Sequence, residues 1–276
     1  MINNDDAARM EDGGFAVTPN SPNKQRDQSG EPLKGVGKDT VAGPSNDLSA
    51  FPTFSPRLEI LPPSQRALWP YLRPMAKRGF VLYGGTAIAL RVGHRQSVDF
   101  DFFTDRPLDH STLLASRPFM PDALVLQEEA NTLTLSVTLP GFPEHPIKVS
   151  FYGNITMGRV DMPEATEDGV ILAASMRDLL ATKLKVIHLR AEKKDYLDIH
   201  GLLSSGLSLP EGLACASALF GKVFQPRVAL TALTYFKEGN LRELPTEVQK
   251  DLIRAAAAVE CLPPNPPVTF VLGVSP

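Results

Sequence analysis

Between Leu82 and Phe103 the sequence sets out a short apolar run, a Gly84-Gly85-Thr86 step, a helical segment through Leu90 and an alternating stretch, Ser97-Val98-Asp99-Phe100-Asp101-Phe102-Phe103. No other segment constrains the fold as tightly. Two glycines free the turn from φ limits and let a ligand approach the backbone closely. A helix opening at Thr86 presents unpaired N–H groups and a partial positive charge, which suits a phosphate, and the Thr86 hydroxyl adds a donor. Asp99 and Asp101 lie two apart on a strand and so share one face with Ser97, while Val98, Phe100 and Phe102 are expected to face the core. Two adjacent carboxylates repel unless a cation lies between them. Mg²⁺ takes one or two carboxylates and completes its octahedron with phosphate oxygens and water. The phenylalanines around the pair argue that the strand is buried, which sharpens the need for such a partner.

The rest of the chain narrows the setting. Its 276 residues suffice for one sizeable domain and a smaller attachment. With 28 Lys+Arg against 31 Asp+Glu the formal charge is −3, so a polyanionic partner must be met by a local basic patch. Cys215 and Cys261 are too few for a disulfide framework and lack metal-ligand spacing, which suits a cytoplasmic protein. No apolar run approaches the ~20 residues of a membrane span, and the first residues lack a signal-peptide pattern.

Residues 1–56 are rich in Asn, Asp, Ser, Gly and Pro without apolar periodicity, and read as a disordered tail. A core over 57–204 follows. Ser64 to Lys77 has helical spacing, limited by Pro70 and Pro74. Strands are expected at 80–83, 97–103, 133–139 and 147–152. Beyond Val170 the pattern turns helical, with Ser175/Asp178 as a capping start and a break around 192–194. A helical C-terminal subdomain over 205–262 has starts at Ser208, Pro226 and Thr246, with ends near Gly221, Gly239 and Val259. Residues 263–276 form an extended tail. The fold class is α+β: a small mixed sheet with flanking helices, then the helical subdomain.

The run Leu82-Tyr-Gly-Gly-Thr-Ala-Ile-Ala-Leu, followed by Gly93-His-Arg-Gln-Ser-Val-Asp-Phe-Asp-Phe-Phe, resembles the nucleotidyltransferases of the AbiEii/AbiGii toxin family, a branch of the DNA polymerase β-type superfamily. A second run, Asp178 to Lys185 through Arg190 to Lys194-Asp195-Tyr-Leu-Asp198, resembles that family's second signature. The resemblance covers about Leu61 to Val259. It implies a nucleotidyltransferase core in which Gly84, Gly85, Thr86 and Ser97 serve the triphosphate and Asp99 and Asp101 bind one or two Mg²⁺ ions. It further implies transfer of a nucleoside monophosphate from a nucleoside triphosphate to a hydroxyl acceptor, RNA and tRNA in particular, by a toxin with a cognate antitoxin. Lys183, seven residues from Arg190 and on the same helical face, is implied to contact nucleotide phosphate, with Asp195 completing a polar cluster. The competing reading of that helix is a solvated basic stripe, Lys183, Lys185, Arg190, Lys193 and Lys194, salt-bridged by Asp195 and Asp198.

One departure stands out. Superfamily enzymes often carry a third carboxylate on a neighbouring strand, and here the aligned position is Ser150. Asp195 or Glu128/Glu129 substitutes, or a single metal binds, or the protein is catalytically weak. His94 stands beside Arg95 before the aspartate strand, and the remaining histidines lack zinc spacing. The alternatives are a non-catalytic nucleotide-binding protein and a small-molecule, aminoglycoside-type nucleotidyltransferase.

Overall fold

A computed structural model describes residues 48–115 and 123–273. The expected alternation and helical spacing build an eight-stranded mixed sheet in the order β1-β7-β8-β2-β3-β6-β5-β4. Its strands are β1 (Thr53–Phe54), β2 (Val81–Tyr83), β3 (Asp99–Phe103), β4 (Leu124–Glu129), β5 (Thr132–Val137), β6 (Ile147–Tyr152), β7 (Glu164–Thr166) and β8 (Leu172–Ala173). The aspartate strand β3 is central, antiparallel to β2 and parallel to β6. Strands β1, β4, β7 and β8 have no counterpart in the sequence reading. The last two hold only three and two residues, too few for a period to show.

Phe100 and Phe102 point to one side of β3. There Phe102 stacks on Phe151, Phe80 packs edge-on against Phe151, and Trp69 lies against Phe100. Helices α1 (Pro63–Leu68) and α2 (Arg73–Lys77), joined by a 3-10 turn through Trp69–Leu72, cover this side. Pro70 and Pro74 interrupt the helix as expected. On the other side of β3, Phe103 stacks on Tyr83 and meets Tyr152 edge-on, and the two aspartates share that side.

Helix α3 (Gly84–Val92) follows β2 without a connecting turn, so the glycines are its first residues rather than a separate loop. After the short α4 (His110–Ala115) come α5 (Met176–Val186) and α6 (Lys193–Ser204). The Ser175 side chain caps α5 by accepting from the Asp178 N–H. In α7 (Leu209–Phe220), capped by Ser208, Gly212 rests against Leu180 of α5. Helices α8 (Pro226–Ala232) and α9 (Thr246–Ala257) complete the fold.

Several expectations need correction. Phe51 is buried and β1 pairs in parallel with β7, so residues 48–56 belong to the folded part; the earlier residues of the expected tail lie outside the described ones. Val98 precedes β3 and is 55% exposed, its carbonyl accepting from Gln65 Nε2, so it does not face the core. Helix α8 stops at Ala232, short of Gly239, and Pro245 rather than Thr246 occupies the cap of α9. Near the C-terminus Thr269 pairs with Arg159, and Leu272 is buried.

Candidate active site

The strand register sets the first half of the site. Asp101 lies opposite Tyr83 of β2 and Ser150 of β6, and Asp99 lies opposite Lys148. Partners in register share a face, so Asp99, Asp101, Lys148, Ser150 and Tyr83 all stand on one side of the sheet. Burial and the neighbouring Asp99 push the Asp101 carboxyl up to about 6, against the pull of Lys183, Lys148 and Lys194. The Asp101 carboxylate therefore lacks full compensation within the protein.

The glycines make room for this pair. Gly84 has φ +75°, and a Cβ there would fall 2.8 Å from Asp101 Oδ2. A Cβ on Gly85 would fall 2.2 Å from Arg95 Nη2 and 3.2 Å from Ser97 Oγ. The first turn of α3 is thus open to the aspartate and to a guanidinium, neither of which could approach a larger residue. Thr86 is buried and turned inward. Its Oγ1 lies 2.8 Å from Ser97 Oγ and donates to the Asp99 carbonyl. With one proton available, the threonine spends it on that carbonyl, and Ser97 is the donor in the hydroxyl pair. Thr86 and Ser97 therefore tie α3 to the start of β3 rather than reaching outward.

The second half is an ion cluster between α3, α5 and α6. Lys183 Nζ lies 2.7 Å from both Asp195 Oδ1 and Asp198 Oδ2. Asp195 also accepts from Arg190 Nε at 2.9 Å. Asp198 accepts from Arg95 Nε at 2.7 Å and Nη2 at 2.9 Å, and from His94 Nε2 at 2.7 Å. The absence of a side chain at Gly201 lets the His94 ring approach α6. Burial works to raise both carboxyls, but Lys183 and Arg190 hold Asp195 below the usual range, and Lys183, His94 and Arg95 do the same to Asp198. Burial opposes the Lys183 ammonium, yet Asp198 and Asp195 outweigh it and keep it charged.

This overturns the solvated-stripe reading for Lys183, which is buried. It also corrects the helical argument for Arg190, because α5 ends at Val186 and the chain turns through His188 and Leu189 before α6. Lys183 and Arg190 meet at Asp195 through that loop. The sequence reading brought Asp99, Asp101, Lys183 and Asp195 to one region. It left out Arg95, Arg190 and Asp198 as site residues, although the local Arg95-to-Asp99 spacing held a clue to the first. Glu128 and Glu129 lie on β4, three strands from β3 and thus roughly 14 Å away, and Glu128 meets His110 instead. They cannot stand in for a third carboxylate.

The donor set fits one hard dication. Asp99 and Asp101 offer carboxylate oxygens on one face, and the fully buried Ser150 Oγ beside them has no hydrogen-bond partner. Among the described residues no group of three or more His, Cys, Asp or Glu side chains converges as a metal site, in keeping with a pair rather than a triad.

The site thus combines a mixed sheet that presents paired aspartates, a glycine-opened helix beside them and a buried lysine. The model of the nucleotidyl transferase AbiEii toxin family, a type IV toxin–antitoxin system, matches residues 67–268, and the chain belongs to that family. An uncharacterized protein of Aquifex aeolicus (strain VF5) is 33% identical over 126 residues, 45% of this chain and 57% of its own length. The chain thus spans a little over half of that curated relative. Among solved structures, the nucleotidyltransferase toxin MenT4 of Mycobacterium tuberculosis H37Rv is 14% identical, covering 70% of this chain and 82% of its own, with a TM-score of 0.49. An antigenic nucleotidyltransferase-like protein of Paracoccidioides brasiliensis is 16% identical over 72% of this chain and 96% of its own, with a TM-score of 0.47. Among the described residues no helix is long and apolar enough to cross a membrane.

Proposed function

We propose that the protein is a Mg²⁺-dependent nucleotidyltransferase that transfers a nucleoside monophosphate from a nucleoside triphosphate to a hydroxyl of RNA, tRNA in particular. It acts in the cytoplasm as the toxin of a pair with a cognate antitoxin. The observation that carries this reading is the placement of two aspartates on one face of β3, with Asp101 held against the glycine-opened first turn of α3. Asp99 and Asp101 would hold Mg²⁺, which supplies charge neutralisation on the polyphosphate.

The protein's own groups divide the remaining work. The free N–H groups at the start of α3 receive phosphate oxygens, and Gly84 and Gly85 let the chain come close. Arg95 overhangs the same turn with its guanidinium fixed by Asp198. An ammonium has three protons, and two of those on Lys183 are directed at Asp195 and Asp198. The third is available to a phosphate oxygen. Asp195 positions Lys183 and Arg190, whose charges lower its affinity for a proton and make it a weak base. In such a site, positioning and electrostatics carry an in-line displacement without a covalent nucleophile.

One observation favours a second reading, nucleotide binding without transfer: the serine at 150 where a third carboxylate would stand. Incubation of the full chain with each α-³²P-labelled nucleoside triphosphate, Mg²⁺ and total tRNA separates the two. Labelled RNA together with released pyrophosphate supports transfer. Bound nucleotide without pyrophosphate supports the second reading. Labelling of an aminoglycoside but not of RNA would point to a small-molecule acceptor.

A further inference from the structure

We infer that the aspartate pair holds one divalent cation rather than two, and that Ser150 sets this limit. The inference rests on the function proposed above, since it takes Asp99 and Asp101 as the cation cradle. Paired catalytic ions stand about 3.5–4 Å apart, so beyond the nucleotide's phosphates, which serve the first ion, a second needs an anionic protein ligand within reach of the aspartate pair. Among the described residues four places come into question, and none offers a free carboxylate.

On β6, the residue facing Asp101 is Ser150, a neutral hydroxyl at physiological pH, fully buried and without a hydrogen-bond partner. On β2, the residue facing Asp101 is Tyr83, a neutral phenol buried and stacked on Phe103. From the helices, Asp195 and Asp198 already bind Lys183, Arg190, Arg95 and His94. The glutamates of β4 are three strands distant.

A single dication balances the two aspartates, and a nucleotide's phosphates bring further negative charge, so what limits a second ion is the missing protein ligand rather than net charge. A substitution at Ser150 would reverse this, because a carboxylate there would face Asp101 directly across the sheet.

The test counts ions rather than turnover. The full chain is dialysed to equilibrium against Mn²⁺ with an equimolar pool of the four α,β-methylene nucleoside triphosphates, and bound Mn²⁺ is examined by electron paramagnetic resonance. Wild type and Ser150→Ala are each expected to bind one ion beyond the amount retained by Asp101→Asn, with an uncoupled six-line spectrum. Ser150→Asp is expected to bind two, with the spectrum of a coupled pair. Two ions in the wild type would overturn the inference while leaving the aspartate cradle intact, as would one ion in a folded Ser150→Asp. If wild type binds no more than Asp101→Asn, the inference and the proposed function fall together. Should Ser150→Asp not fold, the count in wild type and Ser150→Ala still decides.

Discussion

Two pairs of aspartates meet near the start of α3, and their fates are opposite. Asp195 and Asp198, three apart on α6, are fully buried and surrounded by Lys183, Arg190, Arg95 and His94, which hold both below the ordinary carboxyl range. Asp99 and Asp101, two apart on β3, face each other's charge with only indirect cationic relief, and Asp101 rises to about 6. The first pair is bonded to the protein's own cations and acts as architecture. The second has its charge left over for something that arrives from outside. Two things separate them: Asp99 and Asp101 are half-buried where Asp195 and Asp198 are fully buried, and only the helix pair has several cations within bonding distance.

Substitutions should separate the pairs by what each one damages. Removing charge from the strand pair has the largest expected effect. Asp101→Asn should lower nucleotide incorporation by about 10³-fold or more, the scale of losing a group that stabilises charge in the transition state. Its melting temperature should hold or rise, because a like-charge repulsion is relieved. A fall in melting temperature with activity retained would contradict the assignment.

On the helix pair the damage should fall on stability. Asp198→Ala leaves the buried Lys183 and the half-buried Arg95 without their shared partner, and removal of one member of a buried ion pair costs about 3–5 kcal/mol. Urea denaturation of the full chain measures this; a loss under 1 kcal/mol would show that the cluster is solvated.

Gly84→Ala tests how the two halves join. Its φ of +75° and the 2.8 Å approach of Asp101 Oδ2 predict a cost of about 1–2 kcal/mol, together with weaker cation binding, because the carboxylate must move. Equal loss of stability with unaltered Mn²⁺ affinity would separate the glycine from the aspartate.

The smallest effect is in pH. A carboxyl raised to about 6 contributes stability below its unfolded value, and that contribution is lost as pH climbs through 6. The cation-free protein should therefore lose stability from this group between about pH 4 and 6. The rise in melting temperature on adding Mg²⁺ should be small at pH 5 and grow through pH 6 to 7.5. A shift independent of pH would place the cation elsewhere.

The strand pair was legible because a period of two fixes which residues share a face, whatever the strand packs against. The same rule failed at Val98, where the strand has not yet begun and the backbone is held by Gln65 instead. Thr86 shows a different limit. A hydroxyl at the start of a helix suits a ligand, but here its proton goes to the Asp99 carbonyl, a contact between residues 13 apart that only the folded α3–β3 packing creates. Lys183 and Arg190 were correctly associated for the wrong reason: the chain leaves the helix between them, and Asp195 gathers both.

What the sequence settled unaided was local: the alternation that pairs Asp99 with Asp101, the glycines ahead of a helix, the serine at 150 and the capped helices. These follow from neighbours along the chain, whose geometry is fixed by backbone periodicity and φ limits. What the tertiary structure decided was which charges meet. Arg95 reaches Asp198 across 103 residues, and Ser150 comes to face Asp101 because β6 lies parallel to β3 in that register. Electrostatic energy depends on separation in space and on exclusion of water, and neither is set by distance along the chain.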